Sequence, residues 1–259
     1  DIDFGIVPLH VIVGENDYVD DDKIDLTAMQ EDLSSYKGKT STSSPSPHEW
    51  ENAFGDADVV FCITITSTLS GTYNSAVIAK DIYEQNHAGR KVYVLDSLST
   101  GPEIALFIEK IAELIKVGFA PDDIYKTLLE YKDKTHLYFS LASLNNFAKN
   151  GRISPVIAAG IGLLGVRVVG KASEEGTLLP LDKCRGEKRA LKKLIDHLKE
   201  CGYTDGKIII AQNNNEAGAL ELKKLIENTF GIFNGKIQKT RALCSYYAEP
   251  GSLLIGFEA

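Results

Sequence analysis

Several things are scarce in this chain of 259 residues, and each scarcity removes a class of function. Cys62, Cys184, Cys201 and Cys244 show no paired spacing, whereas zinc sites present a Cys-x-x-Cys knuckle or closely set histidines. No metal centre is expected, and a reduced, cytoplasmic compartment fits. Cys62 sits inside the apolar run Val59-Val60-Phe61-Cys62-Ile63 and reads as a small buried thiol. Basic runs are missing too: no stretch of Lys/Arg exceeds two, and 28 basic against 36 acidic side chains leave a net charge of −8. So acidic a surface repels phosphate backbones, so nucleic acid is not expected as a partner. The longest weakly polar stretch, Pro155 to Gly170, contains Arg167 and is rich in Gly and Ala. A bilayer span needs about 20 mostly apolar residues, and this stretch falls short. Asp1-Ile2-Asp3 has neither a basic start nor an apolar middle, so no signal peptide is expected.

What is present is a globular balance, 44% hydrophobic and 25% charged, in a length comfortable for two domains. Asp58 to Ile65 reads as a buried strand, followed by a Ser/Thr-Gly turn and a helix from about Tyr73 to Asn86. Lys91 to Leu95 is a second strand, and Pro102 opens a helix with Ile104, Phe107, Ile108, Ile111 and Ile115 on one face. Gly118 stops that helix; Pro121-Asp122-Asp123 starts the next, its acids at the positive end of the dipole. His136 to Leu141 is a third strand. This alternation is the grammar of a parallel sheet with right-handed crossovers.

The second half reads differently. A small-residue helix spans about Pro155 to Leu164, with Gly160, Gly162 and Gly165 allowing close packing. Two strands flank Glu174-Glu175-Gly176, a hairpin signal. A helix from Glu187 to Glu200, a strand from Lys207, a helix from Glu216 to Phe230, and strands near Lys236–Leu243 and Ser252–Phe257 complete the chain. The expected fold is therefore α/β: a mostly parallel sheet domain with flanking helices over residues 1–150, followed by a smaller α+β domain over 151–259.

The sharpest local feature is Thr66-Ser67-Thr68-Leu69-Ser70-Gly71-Thr72, between a strand and a helix. Ligands of open α/β sheets bind beyond the carboxyl ends of strands, and free amides at a helix start attract anions. The turn suits a phosphate or a carboxylate, and equally serves plain helix capping by Ser70 or Thr72. It lacks the lysine and glycine spacing of a nucleotide P-loop. The polar cluster Lys39 to Pro47 is a second candidate loop. In Asn150-Gly151-Arg152-Ile153-Ser154-Pro155, turn and capping propensities account for every residue except Arg152, and Arg185 stands at another strand-to-helix junction. An acyl-ester hydrolase using Ser67 or Ser70 is the competing reading, although the nucleophile elbow Gly-x-Ser-x-Gly is missing from this turn.

Taken together these pieces resemble the DegV family of bacterial fatty-acid-binding proteins, over nearly the whole chain. Pro8-Leu9-His10-Val11 is similar to a strand near the family's start, and Thr42-Ser43-Ser44-Pro45-Ser46-Pro47 to its Thr-Ser-Gln-Pro-Ser loop. Ser67 to Ala76 is nearly the family signature, and Gly151-Arg152-Ile153-Ser154 resembles its Gly-Gly-Arg-Ile-Ser turn. Gly176 to Pro180 followed by Arg185 to Ala190 resembles its second-domain hairpin and helix start.

The resemblance implies a non-enzymatic carrier that holds one long-chain fatty acid between its domains and presents it to a separate fatty-acid kinase for acyl-phosphate formation. No cofactor is implied; the fatty acid is the ligand, and transient contact with a membrane surface fits its loading. The carboxylate contacts map to Thr42 and Ser67, with Ser43, Ser70 and Gly71 beside them, while Arg152 and Arg185 face the kinase. Two departures stand out. The family opens with a strand ahead of the Pro-Leu segment that this sequence does not contain, and that strand is expected to have been removed. Near the end the family has Thr-His-x-Gly-Pro-Gly, and here Tyr246-Tyr247-Ala248-Glu249-Pro250-Gly251 puts Tyr247 where the histidine would stand. A phenol can bond a head group but cannot act as a base near pH 7, which leaves open a regulatory protein with a vestigial lipid site.

Overall fold

A computed structural model of the chain describes residues 2–154 and 165–259. The helix expected over 155–164 lies outside the described residues.

The first elements form a small antiparallel sheet of order β2-β1-β3, from β1 (His10–Val13), β2 (Asn16–Val19) and β3 (Thr40–Ser43), with α1 (Leu26–Ser35) between the last two. The polar cluster read as a loop is therefore partly strand. It ends in a capping box, in which Ser46 and Glu49 satisfy each other's backbone amides at the start of α2 (Pro47–Phe54). Next come β4 (Val59–Thr64), α3 (Thr72–Asn86), β5 (Lys91–Asp96), α4 (Pro102–Lys116) and α5 (Pro121–Lys132), with β4 and β5 parallel.

Here the expectation of a mostly parallel sheet is corrected. The strand after α5, β6 (Thr135–Leu141), leaves β4 and β5 and enters a six-stranded sheet of order β10-β9-β11-β6-β7-β8. Its partners are β7 (Val166–Ala172), β8 (Leu178–Arg185), β9 (Ile208–Gln212), β10 (Gly235–Lys239) and β11 (Leu253–Glu258). Only β9 and β10 pair in parallel; every other pair in that sheet is antiparallel. Alternating strands and helices announce strands without naming their neighbours, and β6, buried along nearly its whole length, suits the centre of either kind of sheet. Thr135–Leu141 precedes residue 150, yet it is hydrogen-bonded on both edges to strands that follow it.

The remaining helices among the described residues include α6 (Asn145–Lys149), α7 (Glu187–Glu200) and α8 (Glu216–Phe230). A fourth, α9 (Ala242–Ala248), replaces the end of a strand expected to run on to Leu243. Strand alternation splits the large sheet's side chains between two faces. Tyr138, Val169, Ile210 and Phe257 pack under α7 and α8. Leu137, Phe139, Leu141, Val168 and Leu254 face the opposite way, toward Ala248 of α9. Helix α4 is wedged between the two sheets, so its buried stripe is broader than the one expected: Leu106 and Leu114 are buried with Phe107 and Ile111, whereas Ile104, Ile108 and Ile115 are half-buried. The start of α4 lies against β11, where a Cβ on Gly256 would stand 2.5 Å from Glu103 N. Gly165, next to the expected helix that lies outside the described residues, has a φ of 79°.

Helix α9 is held from outside its own segment. Asp20, which follows β2, accepts from the Ala242 and Leu243 amides at 3.0 and 3.1 Å and from Arg241 Nε at 3.3 Å. Val11, Val13 and Met29 pack against Ala242 and Tyr246. The first small sheet and the last helix are thus one packing unit, though about 200 residues of sequence lie between them.

Glu103 is 4% exposed and accepts from Ser99 Oγ at 2.5 Å and Thr135 Oγ1 at 2.8 Å. Burial raises its pKa, and the two hydroxyls with the charge of Lys132 only partly oppose this. A carboxyl that holds its proton more tightly folded than unfolded favours the fold as pH falls and loses that contribution as pH rises through the folded pKa. Glu103→Gln should therefore be at least as stable as the wild type at about pH 7, and its urea midpoint should respond less to acidification toward about pH 5. An unchanged pH response in the variant would assign the effect to another group.

Candidate functional site

The face of the large sheet left free by α7 and α8 borders an open-mouthed cavity, about 850 Å³ when the open solvent at its mouth is counted. Leu137, Phe139, Leu141 and Leu254 form its floor, and Leu243, Cys244 and Ala248 of α9 form one wall. Leu69, Leu98, Ala172 and Leu178 extend the apolar lining. Cys244 is a neutral thiol, its pKa pushed up to about 11 by burial.

Polar side chains gather where β3, the β4–α3 turn, α6 and α9 meet. Thr42 Oγ1 and Tyr247 OH are hydrogen-bonded at 2.9 Å. Ser44 Oγ and Ser70 Oγ are bonded at 3.0 Å, and Ser70 Oγ meets Thr72 Oγ1 at 2.7 Å. Arg152 donates through Nε to Leu69 O at 3.3 Å and through Nη1 to Asn150 O at 2.5 Å. Thr42, Ser44, Ser70, Arg152 and Tyr247 all line the cavity. Burial raises the Tyr247 pKa against the pull of Thr42 and Arg152, so the phenol stays a neutral donor at physiological pH. Hydroxyls beside a guanidinium at the end of an apolar cavity suit one anionic group on a hydrophobic body.

The other candidates lie elsewhere. Ser43 is exposed, its hydroxyl turned to Ser44 O. Ser67 does not line the cavity; its amide donates to Asp96 Oδ1 at 3.1 Å, a carboxylate that also accepts from the Leu98 amide. Gly71 is the N-cap of α3, 3.7 Å from Ser44 Oγ at its Cβ position, and contributes no lining. Arg185 is exposed on β8, outside the cavity that Arg152 borders. Ser44 was the residue not singled out, and strand alternation could have found it: two residues beyond Thr42 it points the same way, whereas Ser43 points oppositely. Phe147 of α6, whose ring packs at a 32° tilt against Tyr247 with centroids 4.8 Å apart, gave no such signal.

Contacts across the chain close the cavity's other side. Thr66 Oγ1 donates to Gly176 O at 2.9 Å and Thr68 Oγ1 to Glu175 O at 2.6 Å, locking the β7–β8 hairpin tip onto the Ser/Thr turn. Gly176 has φ 76°, and a Cβ there would fall 2.1 Å from Thr66 Oγ1, so glycine is required for both reasons.

A nucleophilic serine needs a base, and among the described residues no histidine bonds Ser67 or Ser70. His10 pairs with Asp17, His87 with Tyr83 O, and His197 with Asp182 and Glu200. Among the described residues no group of three His, Cys, Asp or Glu could hold a metal ion, and no helix is long and apolar enough to cross a membrane.

Comparison with known proteins places this geometry in context. The DegV family model matches residues 1–259. A DegV domain-containing protein of Streptococcus pneumoniae is 42% identical over 255 residues, covering 98% of this chain and 91% of its own. A DegV family protein from Eubacterium eligens, solved loaded with heptadecanoic acid, shares the fold at a TM-score of 0.95 and 40% identity, covering 98% of this chain and 92% of that one. The Streptococcus pneumoniae Fatty Acid Kinase (Fak) B3 protein, solved loaded with linoleic acid, also has a TM-score of 0.95, at 42% identity over 97% of this chain and 90% of that one.

The Thr42–Tyr247 bond is testable without a ligand. Tyr247→Phe and Thr42→Val should each lower unfolding stability by about 1 kcal/mol, and the double variant should cost less than their sum because the second change removes no further bond. Strict additivity in urea titrations would show that the two hydroxyls do not interact.

Proposed function

The chain belongs to the DegV family, and from that premise we propose that it is a binding protein for one long-chain fatty acid, which it presents to a separate fatty-acid kinase. The single observation that carries this reading is the apolar cavity with Thr42, Ser44, Ser70, Tyr247 and Arg152 converging at one place on its wall. The loaded neighbours support the ligand class, and the kinase B3 protein supports the partner.

The mechanism is one of burial and compensation. Withdrawing a chain of about sixteen carbons from water contributes on the order of ten kcal/mol at roughly 0.8 per methylene. A buried carboxylate costs several kcal/mol unless its oxygens are bonded. In our reading they insert between the paired hydroxyls, exchanging Thr42–Tyr247 and Ser44–Ser70 bonds for charge-assisted ones, while the Arg152 guanidinium balances the charge. Ser67 acts one step back, through Asp96, by fixing the turn that presents Ser70. Arg185, exposed near the start of α7, remains available to the kinase. This division of roles makes the protein a co-substrate carrier, with the phosphoryl chemistry belonging to its partner. The hydrolase reading has no specific observation in its favour.

Organic extraction of freshly purified protein should release fatty acid in roughly equimolar amount, identified by mass, and the delipidated protein should bind oleate saturably. Ser44→Ala and Thr42→Ala should each raise the dissociation constant by roughly tenfold, a lost charge-assisted bond, whereas Ser43→Ala should leave it unchanged. Absence of released lipid together with no oleate binding would reject the function, and turnover of a chromogenic acyl ester would replace it with the hydrolase.

A further inference from the structure

Three non-glycine residues among those described have positive φ: Leu98, Asn214 and Glu249. Glu249 is the one at the end of a helix that lines the cavity. It closes α9 at φ 57° and ψ 158°, a region that only glycine adopts freely and that costs other residues free energy unless their surroundings impose it. What imposes it here is the side chain. Glu249 Oε1 accepts from Ser143 Oγ at 2.9 Å and from the Asn146 amide at 3.2 Å, both at the start of α6.

The same junction is bonded twice more. Asn146 Nδ2 donates to Tyr246 O at 2.8 Å, and Asn150 Nδ2 donates to Tyr246 OH at 2.8 Å. Helix α6 in turn carries the guanidinium arm, since Gly151 N donates to Ala148 O and Arg152 N to Phe147 O at 2.8 Å. On the α9 side the residue adjoining this network is Tyr247, whose ring packs tilted against Phe147 of α6. Two arms from remote parts of the chain therefore bring Arg152 and Tyr247 to one cavity, and the clamp between them is anchored on a residue in a disfavoured backbone conformation.

We propose that Glu249 is a positioning residue of the fatty-acid head-group pocket: its side chain, held on a left-handed backbone, fixes α6 against α9 so that Arg152 and Tyr247 meet the same carboxylate. The proposal deepens the fatty-acid reading and rests on it. A residue that served stability alone would gain from replacement by glycine, which relieves the backbone. The carboxylate is kept for its reach to Ser143 and Asn146.

The test compares wild type, Glu249→Gly, Glu249→Gln, Arg152→Ala and the Glu249→Gly/Arg152→Ala double variant, all delipidated, by oleate displacement of a fluorescent fatty acid and by thermal unfolding. Glu249→Gly should unfold at or above the wild-type temperature, yet bind oleate about five- to tenfold more weakly. Glu249→Gln, whose amide oxygen accepts the same two bonds, should restore binding to within about threefold. The double variant should bind no more weakly than Arg152→Ala alone, because Glu249 acts through the arm already removed. Binding by Glu249→Gly within about twofold of wild type, failure of Gln to rescue, or full additivity with Arg152→Ala would each overturn the proposal. A wild-type chain that binds no oleate brings down the fatty-acid reading itself, and the positioning role with it.

Discussion

The Asp20 carboxylate that caps α9 from across the molecule is the interaction on which the rest of the site depends. Its two oxygens take the Ala242 and Leu243 amides, and Arg241 closes over it. A seven-residue helix has little stability of its own. Fixed by Asp20, and by Asn213 Nδ2 donating to Ser245 O at 2.9 Å, it becomes a rigid plate with two uses. One side packs on β1 and α1 through Ala242 and Tyr246, and the other offers Leu243, Cys244, Tyr247 and Ala248 to the cavity. Thr40 and Tyr246, bonded at 2.7 Å, continue the seam beside Thr42 and Tyr247.

A cavity in a protein interior has to be kept from collapse, because the lining forfeits dispersion contacts on its empty side. The solution here is crosslinking by short polar bonds around the rim while the floor stays apolar. The hairpin tip at Gly176 is tied to Thr66, the turn at Ser67 and Leu98 to Asp96, and α6 to α9. Each tie uses a hydroxyl, an amide or a carboxylate, and apart from the local Leu98–Asp96 bond each joins segments distant in sequence. The rim is thereby rigid enough to present donors and polar enough to exchange them for a ligand's oxygens.

The abundance of Ser and Thr around the site follows from the same requirement. A hydroxyl is both donor and acceptor and can bond a neighbour in the free protein and a carboxylate in the complex with little rearrangement. The raised pKa of Tyr247 keeps its phenol in the donor form. Such a set of neutral donors with one guanidinium suits the oxygens of an acid, as the proposed function requires.

Local chemistry was written in the sequence: the helices opened by Pro102 and Pro121, the hairpin at Gly176, the amphipathic α7, and the Ser/Thr turn after β4 could each be read from spacing and capping residues alone, since those signals act within a few residues. The motifs at Thr42, Ser70, Arg152 and Tyr247 were equally visible as motifs. Which strands pair was decided elsewhere. Nothing in Thr135–Leu141 says that it will join β11 and β7 instead of β5, because a strand buried on both faces carries no mark of its neighbours' direction. The same holds for ending β10 at Lys239 so that α9 can begin, and for setting Glu249 beside Asn146. Those choices rest on contacts between residues distant in sequence, about 100 positions or more for β6 with β11 and for Asn146 with Glu249, and only the closed chain, with its whole apolar surface competing for burial, selects among them.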